Sequence, residues 1–152
     1  MFSASLELSL SVSYREATSR QHTHLTLEHL LHALTHDPES EKILVACGGD
    51  LPALRLALDD FLHSVERFAD GPRSEPEQTL AFRRVLQTAV LHVQGAGRDE
   101  VRAGDVLAAM LQQPKSYAAQ LLESQGITRL DILNHISHGI SKVRIPLQEE
   151  TN

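Results

Sequence analysis

The sequence is short of the residues on which several classes of protein depend. Among its 152 residues it has no tryptophan, two tyrosines, four phenylalanines and one cysteine. The single Cys47 cannot form an internal disulfide, which is typical of proteins from a reducing cytoplasm. No apolar run approaches the roughly 20 residues that a membrane-spanning helix requires. The N-terminus carries Glu7 instead of a basic segment followed by an apolar one, so we predict no signal peptide. We expect a cytoplasmic protein without a membrane role.

Basic residues are also in the minority. The chain has 14 Lys and Arg against 20 Asp and Glu, a net charge of −6. Proteins that bind nucleic acid present a basic face to the phosphates, so the charge gives no support to such a role. Leu and Ala dominate the apolar residues and β-branched residues are few, which favours helix over strand. A chain of this length and composition predicts one all-α domain.

The clearest pattern is an internal repeat with an offset of 76 residues. The segment Leu27–Leu34 is followed by Pro38, and a weaker copy, Ala103–Met110, is followed by Pro114. The offset also holds outside these two segments. There, the apolar stripe Leu6, Leu10, Tyr14 and Ala17 predicts the apolar residues Phe82, Leu86, Val90 and Val93. The same offset maps Leu51 and Leu54 without a gap onto Ile127 and Leu130. A repeat of this kind fixes the architecture before any local prediction is made.

The periodicity predicts four helices in each repeat. Ser3, Thr26, Asp50 and Thr79 are the predicted N-caps of four of them. In the second repeat we expect helices near 80–94, 103–112, 115–125 and 127–138. Repeat one spans 1–66, a polar linker spans 67–78 and repeat two spans 79–139. The domain therefore covers 1–142, followed by a polar tail at 143–152. Because neither repeat can cover its own apolar faces, we expect a single pseudo-twofold domain with one shared core.

Nine histidines raise the question of a metal site. His22 and His24 lie two apart, and His29, His32 and His36 fall on one side of a helix. Zinc sites usually need three or four convergent ligands, and paired cysteines are lacking. His29 lies three residues after Thr26, so closing the helix cap is its expected role. No nucleophile motif is present. We predict no catalytic residue, metal or cofactor, with a small metal-dependent enzyme as the less favoured alternative.

The string Thr-Leu-Glu-His-Leu-Leu-His-Ala-Leu at 26–34 resembles the T-x-E-H-L-L-x-A-L signature of the Clp N-terminal repeat domain. That module precedes the ATPase rings of AAA+ unfoldases. Within the family, segments 6–10, 82–87, 92–94, 97–101 and 136–139 are most similar to the ClpA branch. The resemblance implies an α-helical appendage that recruits substrates and the adaptor ClpS. ClpS delivers proteins with destabilising N-terminal residues to the ClpP protease, which the full-length parent would contact.

The chain contains no G-x-x-x-x-G-K-[ST] motif, so we do not expect it to hydrolyse ATP by itself. We expect the isolated domain to be a monomer that acts by binding. A free-standing Clp-repeat protein that regulates an unfoldase is the alternative within the same class.

Differences between the two repeats point to a partner-binding surface, because core positions must match while a specialised surface need not. Glu28 corresponds to Gly104 in the second repeat. Glu7, Leu8 and Ser11 correspond to basic and amide residues, and a local basic patch can orient an acidic partner. The resemblance to ClpA implies that the adaptor docks at the start of the fifth helix. The predicted partner-binding residues are Glu28, Thr79, Arg83, Arg84 and Gln87.

Overall fold

The computed structural model describes residues 1–69 and 74–142. Within them the chain forms eight helices and two strands of two residues each, so the predicted all-α fold is confirmed. The predicted tail at 143–152 and part of the predicted linker, 70–73, lie outside the described residues. No helix in the described ranges is long and apolar enough to cross a bilayer. The elements are α1 Ala4–Ser19, β1 His24–Leu25, α2 Leu27–Leu34, α3 Pro38–Ala46, α4 Leu51–His63, β2 Glu77–Gln78, α5 Leu80–Gly95, α6 Ala103–Met110, α7 Tyr117–Ser124 and α8 Arg129–His138.

Seven of the eight helices in the described residues begin where the sequence supplies a capping side chain. Ser3 Oγ accepts a hydrogen bond from Leu6 N at 3.2 Å, and Thr79 Oγ1 accepts one from Phe82 N at 3.2 Å. These bonds satisfy amides that have no partner inside the helix, which is why such residues favour this position. The predicted caps at Thr26 and Asp50 also accept bonds from their own helices. Local sequence therefore sets the start of each of these helices.

Short parallel strand pairs interlock the two repeats. β1 pairs with β2, and Phe2 forms an isolated bridge with Val101. In the first pair Thr79 N donates to Leu25 O at 3.1 Å, and in the second Ser3 N donates to Val101 O at 2.9 Å. The two bonds are related by the 76-residue offset. The segment before the first helix of each repeat is thus bonded to the segment before the second helix of the other.

One apolar core is shared by both repeats. It includes Leu6 and Ala17 of α1 as well as Phe82 and Val93 of α5, all buried as their stripes predict. The remaining stripe residues are half-buried and pack against the same core: Leu10, Tyr14, Leu86 and Val90. The cluster also takes in α2, α3, α4, α6, α7 and α8. Burial of this joint surface supplies the driving force that neither repeat could provide alone.

The gapless match of Leu54 to Leu130 is wrong. Leu54 is 1% exposed whereas Leu130 is 64% exposed. Helix α4 begins at Leu51 but α8 begins at Arg129, so two extra residues precede α8. Aligning the first residues of the two helices pairs Leu54 with Ile132, which is fully buried. The repeat therefore holds through α6 at the 76-residue offset and needs a shift in its last two helices, α7 and α8.

Candidate binding surfaces

Glu28 lies inside the protein, between the two repeats. It is 7% exposed, and its Oε2 accepts a hydrogen bond from Ala118 N at 2.8 Å. Ala118 is the second residue of α7, where a free helix amide and the positive end of the helix dipole favour a carboxylate. A carboxylate held in this way is not available to a partner. Glu28 therefore joins α2 to α7. Its buried, hydrogen-bonded position does not match the predicted role of a partner contact.

The other four predicted residues lie together at the start of α5. Thr79 is half-buried and caps the helix, while Arg83, Arg84 and Gln87 are exposed. Arg83 Nη1 lies 3.5 Å from Gln78 O, a long hydrogen bond. In the described part of the chain, no carboxylate forms an ion pair with either arginine.

Two exposed leucines extend this surface. Leu80 is 53% exposed and Leu91 is 67% exposed. Together with Arg84 and Gln87 they fall at i, i+4, i+7 and i+11, the spacing of a single helix face. We call this set, Leu80, Arg84, Gln87 and Leu91, the α5 face. The sequence analysis missed its leucines, although they lie on the side of the helix opposite the buried stripe and could have been found from that spacing.

Two buried histidines, His22 in the segment before β1 and His29 in the first turn of α2, contact each other. His22 Nδ1 lies 2.7 Å from His29 Nε2, and Thr26 N donates to His29 Nδ1 at 3.0 Å. Because His29 Nδ1 accepts, its Nε2 carries the proton and donates to His22. Burial lowers the pKa of His29 to about 3 and also lowers the pKa of His22. The predicted capping role of His29 is confirmed, and both rings are neutral at pH 7.

The second repeat closes the matching cap with a carboxylate. Asp105 lies 76 residues after His29, and its Oδ2 accepts from Arg102 N at 2.9 Å. Arg98 Nη2 pairs with the other oxygen of this buried side chain at 2.7 Å. Among the residues that the structure describes, no three His, Cys, Asp or Glu side chains converge to hold a metal ion. His29 and Asp105 thus close equivalent helix caps, one with a neutral imidazole and the other with a carboxylate.

Most of the chain matches a known protein family. Residues 1–125 match the family model described as the Clp repeat (R) N-terminal domain. The chain belongs to this family. A "ClpA homolog protein" of Fuscovulum blasticum is 39% identical over 145 residues, which are 93% of this chain and 18% of that protein. This Clp N-domain therefore spans less than a fifth of the length of that relative.

Solved structures of other Clp N-domains share the fold. The N-domain of ClpV from Vibrio cholerae superposes with a TM-score of 0.74 at 24% identity, over 90% of this chain and 82% of that one. A complex of a ClpV N-domain with a VipB peptide gives a TM-score of 0.72 at 22% identity, over 90% and 85% of the two chains. At these identities the likeness establishes the fold alone.

Proposed function

We propose that this Clp N-domain is the partner-recruiting module of a larger ClpA-like AAA+ unfoldase. The ClpA homolog supports this proposal, because the match covers nearly all of this chain but only 18% of that relative. In this proposal the domain binds the adaptor ClpS and protein substrates, and the parent protein passes them to the ClpP protease. The domain itself contributes no chemistry. It raises the local concentration of bound proteins at the ring, as tethering does in other systems.

The observation that carries the proposal is the composition of the α5 face. Arg84 is an exposed cation on a chain of net charge −6, and it lies between two exposed leucines on one side of the helix. Interfaces are enriched in arginine, and exposed apolar residues that share one face indicate an interaction site, whereas scattered single leucines do not. Arg83 and Thr79 flank the same surface. This arrangement suits a partner that presents a carboxylate next to apolar side chains.

A related complex and the length of the α5 face indicate the kind of partner. The ClpV N-domain that shares this fold forms a complex with a VipB peptide, which supports a peptide segment or a small adaptor as the partner of this chain. The leucines at the two ends of the α5 face are 11 residues apart, which corresponds to about 16 Å along a helix. A helix or a short extended segment with two apolar residues and an acidic one could span that distance.

The test is a calorimetric titration of the domain with purified ClpS from the same organism. Arg84→Glu reverses the central charge of the α5 face, and we expect it to weaken binding at least about tenfold, or about 1.4 kcal/mol. Arg15→Glu is the matched control, since Arg15 is exposed on α1 and changes the net charge equally. That control should leave the affinity within about twofold of the wild type.

Thermal unfolding of both variants is measured alongside. Neither exposed arginine belongs to the core, so both melting temperatures should stay close to that of the wild type. If Arg84→Glu and Arg15→Glu weaken binding equally, the effect is one of net charge and the α5 face is not the docking surface. If wild-type domain and ClpS show no binding, ClpS is not the adaptor of this chain.

A further inference from the structure

Helix α1 presents an exposed face that is the counterpart of the α5 face. The 76-residue offset maps the α5 face onto Ala4, Leu8, Ser11 and Arg15, which are all exposed. We call this set the α1 face. Leu8 is 60% exposed, so its side chain lies largely in solvent. Among the described residues, α1 packs mainly on α2 and α5 packs mainly on α6, so the first helix of each repeat leaves its outer side uncovered.

The two faces carry different charges at equivalent positions. Glu7 lies at the edge of the α1 face and corresponds to Arg83 at the same edge of the α5 face, while Leu8 corresponds to Arg84. Glu7 and both arginines are exposed, and none of the three forms an ion pair within residues 1–69 and 74–142. Each face therefore has exposed charges of a sign that the equivalent positions of the other face lack.

The α1 face has the chemistry that suits the α5 face. The arginines of α5 lie among exposed leucines, an arrangement that fits a carboxylate next to an apolar side chain. Glu7 and Leu8 are such a pair, on adjacent exposed positions of one helix. Contacts between like faces lack this match, because two α5 faces bring arginines together and two α1 faces bring glutamates together. The charges therefore favour α1 of one copy against α5 of another.

An antiparallel arrangement of these two helices allows a polar and an apolar contact at once. Two antiparallel helices are related by an approximate twofold axis between them, and that axis brings equivalent edges of the two faces together. Glu7 of one copy then lies beside Arg83 of the next. With these two residues in register, Leu8 and Leu80 are about 3 Å apart along the helix axes, at a rise of about 1.5 Å per residue. The ion pair thus has an apolar contact next to it.

We propose that copies of this chain contact one another through the α1 face of one copy and the α5 face of the next. Such a contact is heterologous because it joins two different surfaces, so it leaves a free face at each end for a further copy. The ion pair is exposed and contributes little by itself, so we expect a dissociation constant of about 1 mM. Copies tethered side by side reach effective concentrations of about that order. At micromolar concentrations the isolated domain is then a monomer.

A neighbouring copy and an adaptor exclude each other on the α5 face, because both use its arginines. Adaptor binding should therefore release the contact between neighbouring copies. This competition rests on the proposed function, whereas the contact between copies does not. The experiments below contain no adaptor, so their failure is distinct from a failure of the domain to bind ClpS.

The test is a titration of the ¹⁵N-labelled 152-residue chain with the unlabelled chain, followed by two-dimensional NMR up to about 2 mM, above the expected dissociation constant. We expect saturating shifts of backbone amides on both helices, including Leu8 on α1 and Arg83 on α5. Shifts confined to one of the two helices would indicate a contact between like faces and would overturn the proposal. Shifts on other surfaces alone, or no dependence on concentration, would overturn it as well.

Charge reversals distinguish this contact from general electrostatics. Glu7→Arg and Arg83→Glu should each weaken self-association at least about fivefold, because each places like charges opposite one another. Glu7→Arg also makes the chain less negative, so general repulsion between copies would change in the opposite direction. The matched controls are Glu123→Arg and Lys115→Glu, which make the same changes of charge at exposed residues elsewhere. Equal weakening by a variant and its control would show that these faces do not meet.

An equimolar mixture of Glu7→Arg and Arg83→Glu provides the sharpest measurement. The unsubstituted Glu7 of one variant meets the unsubstituted Arg83 of the other, and the two substituted residues form a reversed pair of opposite charge. The mixture should therefore associate with an affinity within about twofold of the wild type, although neither variant does so alone. If the mixture associates as weakly as the separate variants, Glu7 and Arg83 do not meet and the proposal fails.

Discussion

The carboxylate of Glu28 and the backbone amide of Ala118 join the two halves of this domain across 90 residues of sequence, at an N···O distance of 2.8 Å. The bond sits within a buried contact between α2 and α7. It satisfies a helix amide that would otherwise be left without an acceptor, and it keeps the charge of Glu28 compensated. A residue in the signature string of the family thus has a structural role in this chain.

We predict that Glu28→Ala lowers the free energy of unfolding by about 1.5–3 kcal/mol, the range for a lost hydrogen bond to a charged group. Glu28→Gln should cost less, since its amide oxygen can still accept from Ala118. The control Glu123→Ala removes an exposed carboxylate from α7, the helix that contains Ala118. It should change the free energy of unfolding by less than about 0.5 kcal/mol. Urea unfolding at pH 7 measures all three. If Glu28→Ala is as stable as Glu123→Ala, the hydrogen bond between the repeats does not contribute to the free energy of unfolding.

Acid should destabilise the fold through His29. Its pKa is about 3 in the folded chain, because of burial, against 6.5 when exposed. Below pH 6.5 His29 binds a proton in the unfolded chain but stays neutral in the folded chain. The free energy of unfolding therefore falls progressively from pH 6.5 toward pH 3. Between pH 7.5 and pH 5 the loss from this residue is about 2 kcal/mol. The lowered pKa of His22 acts in the same direction.

The variant His29→Gln tests that origin. Glutamine at this position can accept from the Thr26 amide as in a capping box, but it does not titrate. Urea unfolding at pH 7.5 and pH 5 should therefore show a smaller acid loss in the variant than in the wild type. An unchanged pH dependence would assign the acid sensitivity to other groups.

Leu54 and Leu130 are equivalent under the 76-residue offset, but the two-residue shift before α8 buries one and exposes the other. Their substitution should therefore affect stability differently. Leu54→Ala should cost about 2–5 kcal/mol, because it leaves a cavity in the shared core. Leu130→Ala should cost less than about 0.5 kcal/mol, because Leu130 is 64% exposed. Thermal or urea unfolding of the pair measures the difference. Similar losses in both variants would restore the gapless alignment.

Much of the fold followed from local pattern. Helix caps such as Ser3 and Thr79 depend on a side chain three residues from the amide it satisfies, so the sequence predicts them directly. The apolar stripes of α1 and α5 depend on the helical period and are equally visible. The parallel pairing of β1 with β2 was not predicted, and its second strand falls within the predicted linker. A strand of two residues is too short to show an alternating pattern in the sequence. Its pairing is set by the way in which the two repeats pack together.

The candidate binding residues also fall into those whose exposure the sequence predicts and those whose burial it does not. The exposure of Arg83, Arg84 and Gln87 follows from their places on an amphipathic helix. The burial of Glu28 does not, because an acidic residue in a first helical turn is favoured by the helix dipole whether it faces solvent or protein. Only the approach of α7 turns that carboxylate inward. The close packing of Gly104 against Ile43 and Ile136 likewise depends on contacts between three helices that no local pattern records.

The sequence by itself determined the helices, their caps, the repeat and the family, because each depends on residues a few positions apart or on a fixed offset. The tertiary structure alone decided which symmetric positions stay equivalent. Glu28 is bound to the amide of Ala118, whereas its counterpart Gly104 is packed directly against Ile43 and Ile136. The physical reason is that burial, pairing and close packing depend on distances between residues as far apart as 90 positions, and those distances exist only after the two repeats have packed on one core.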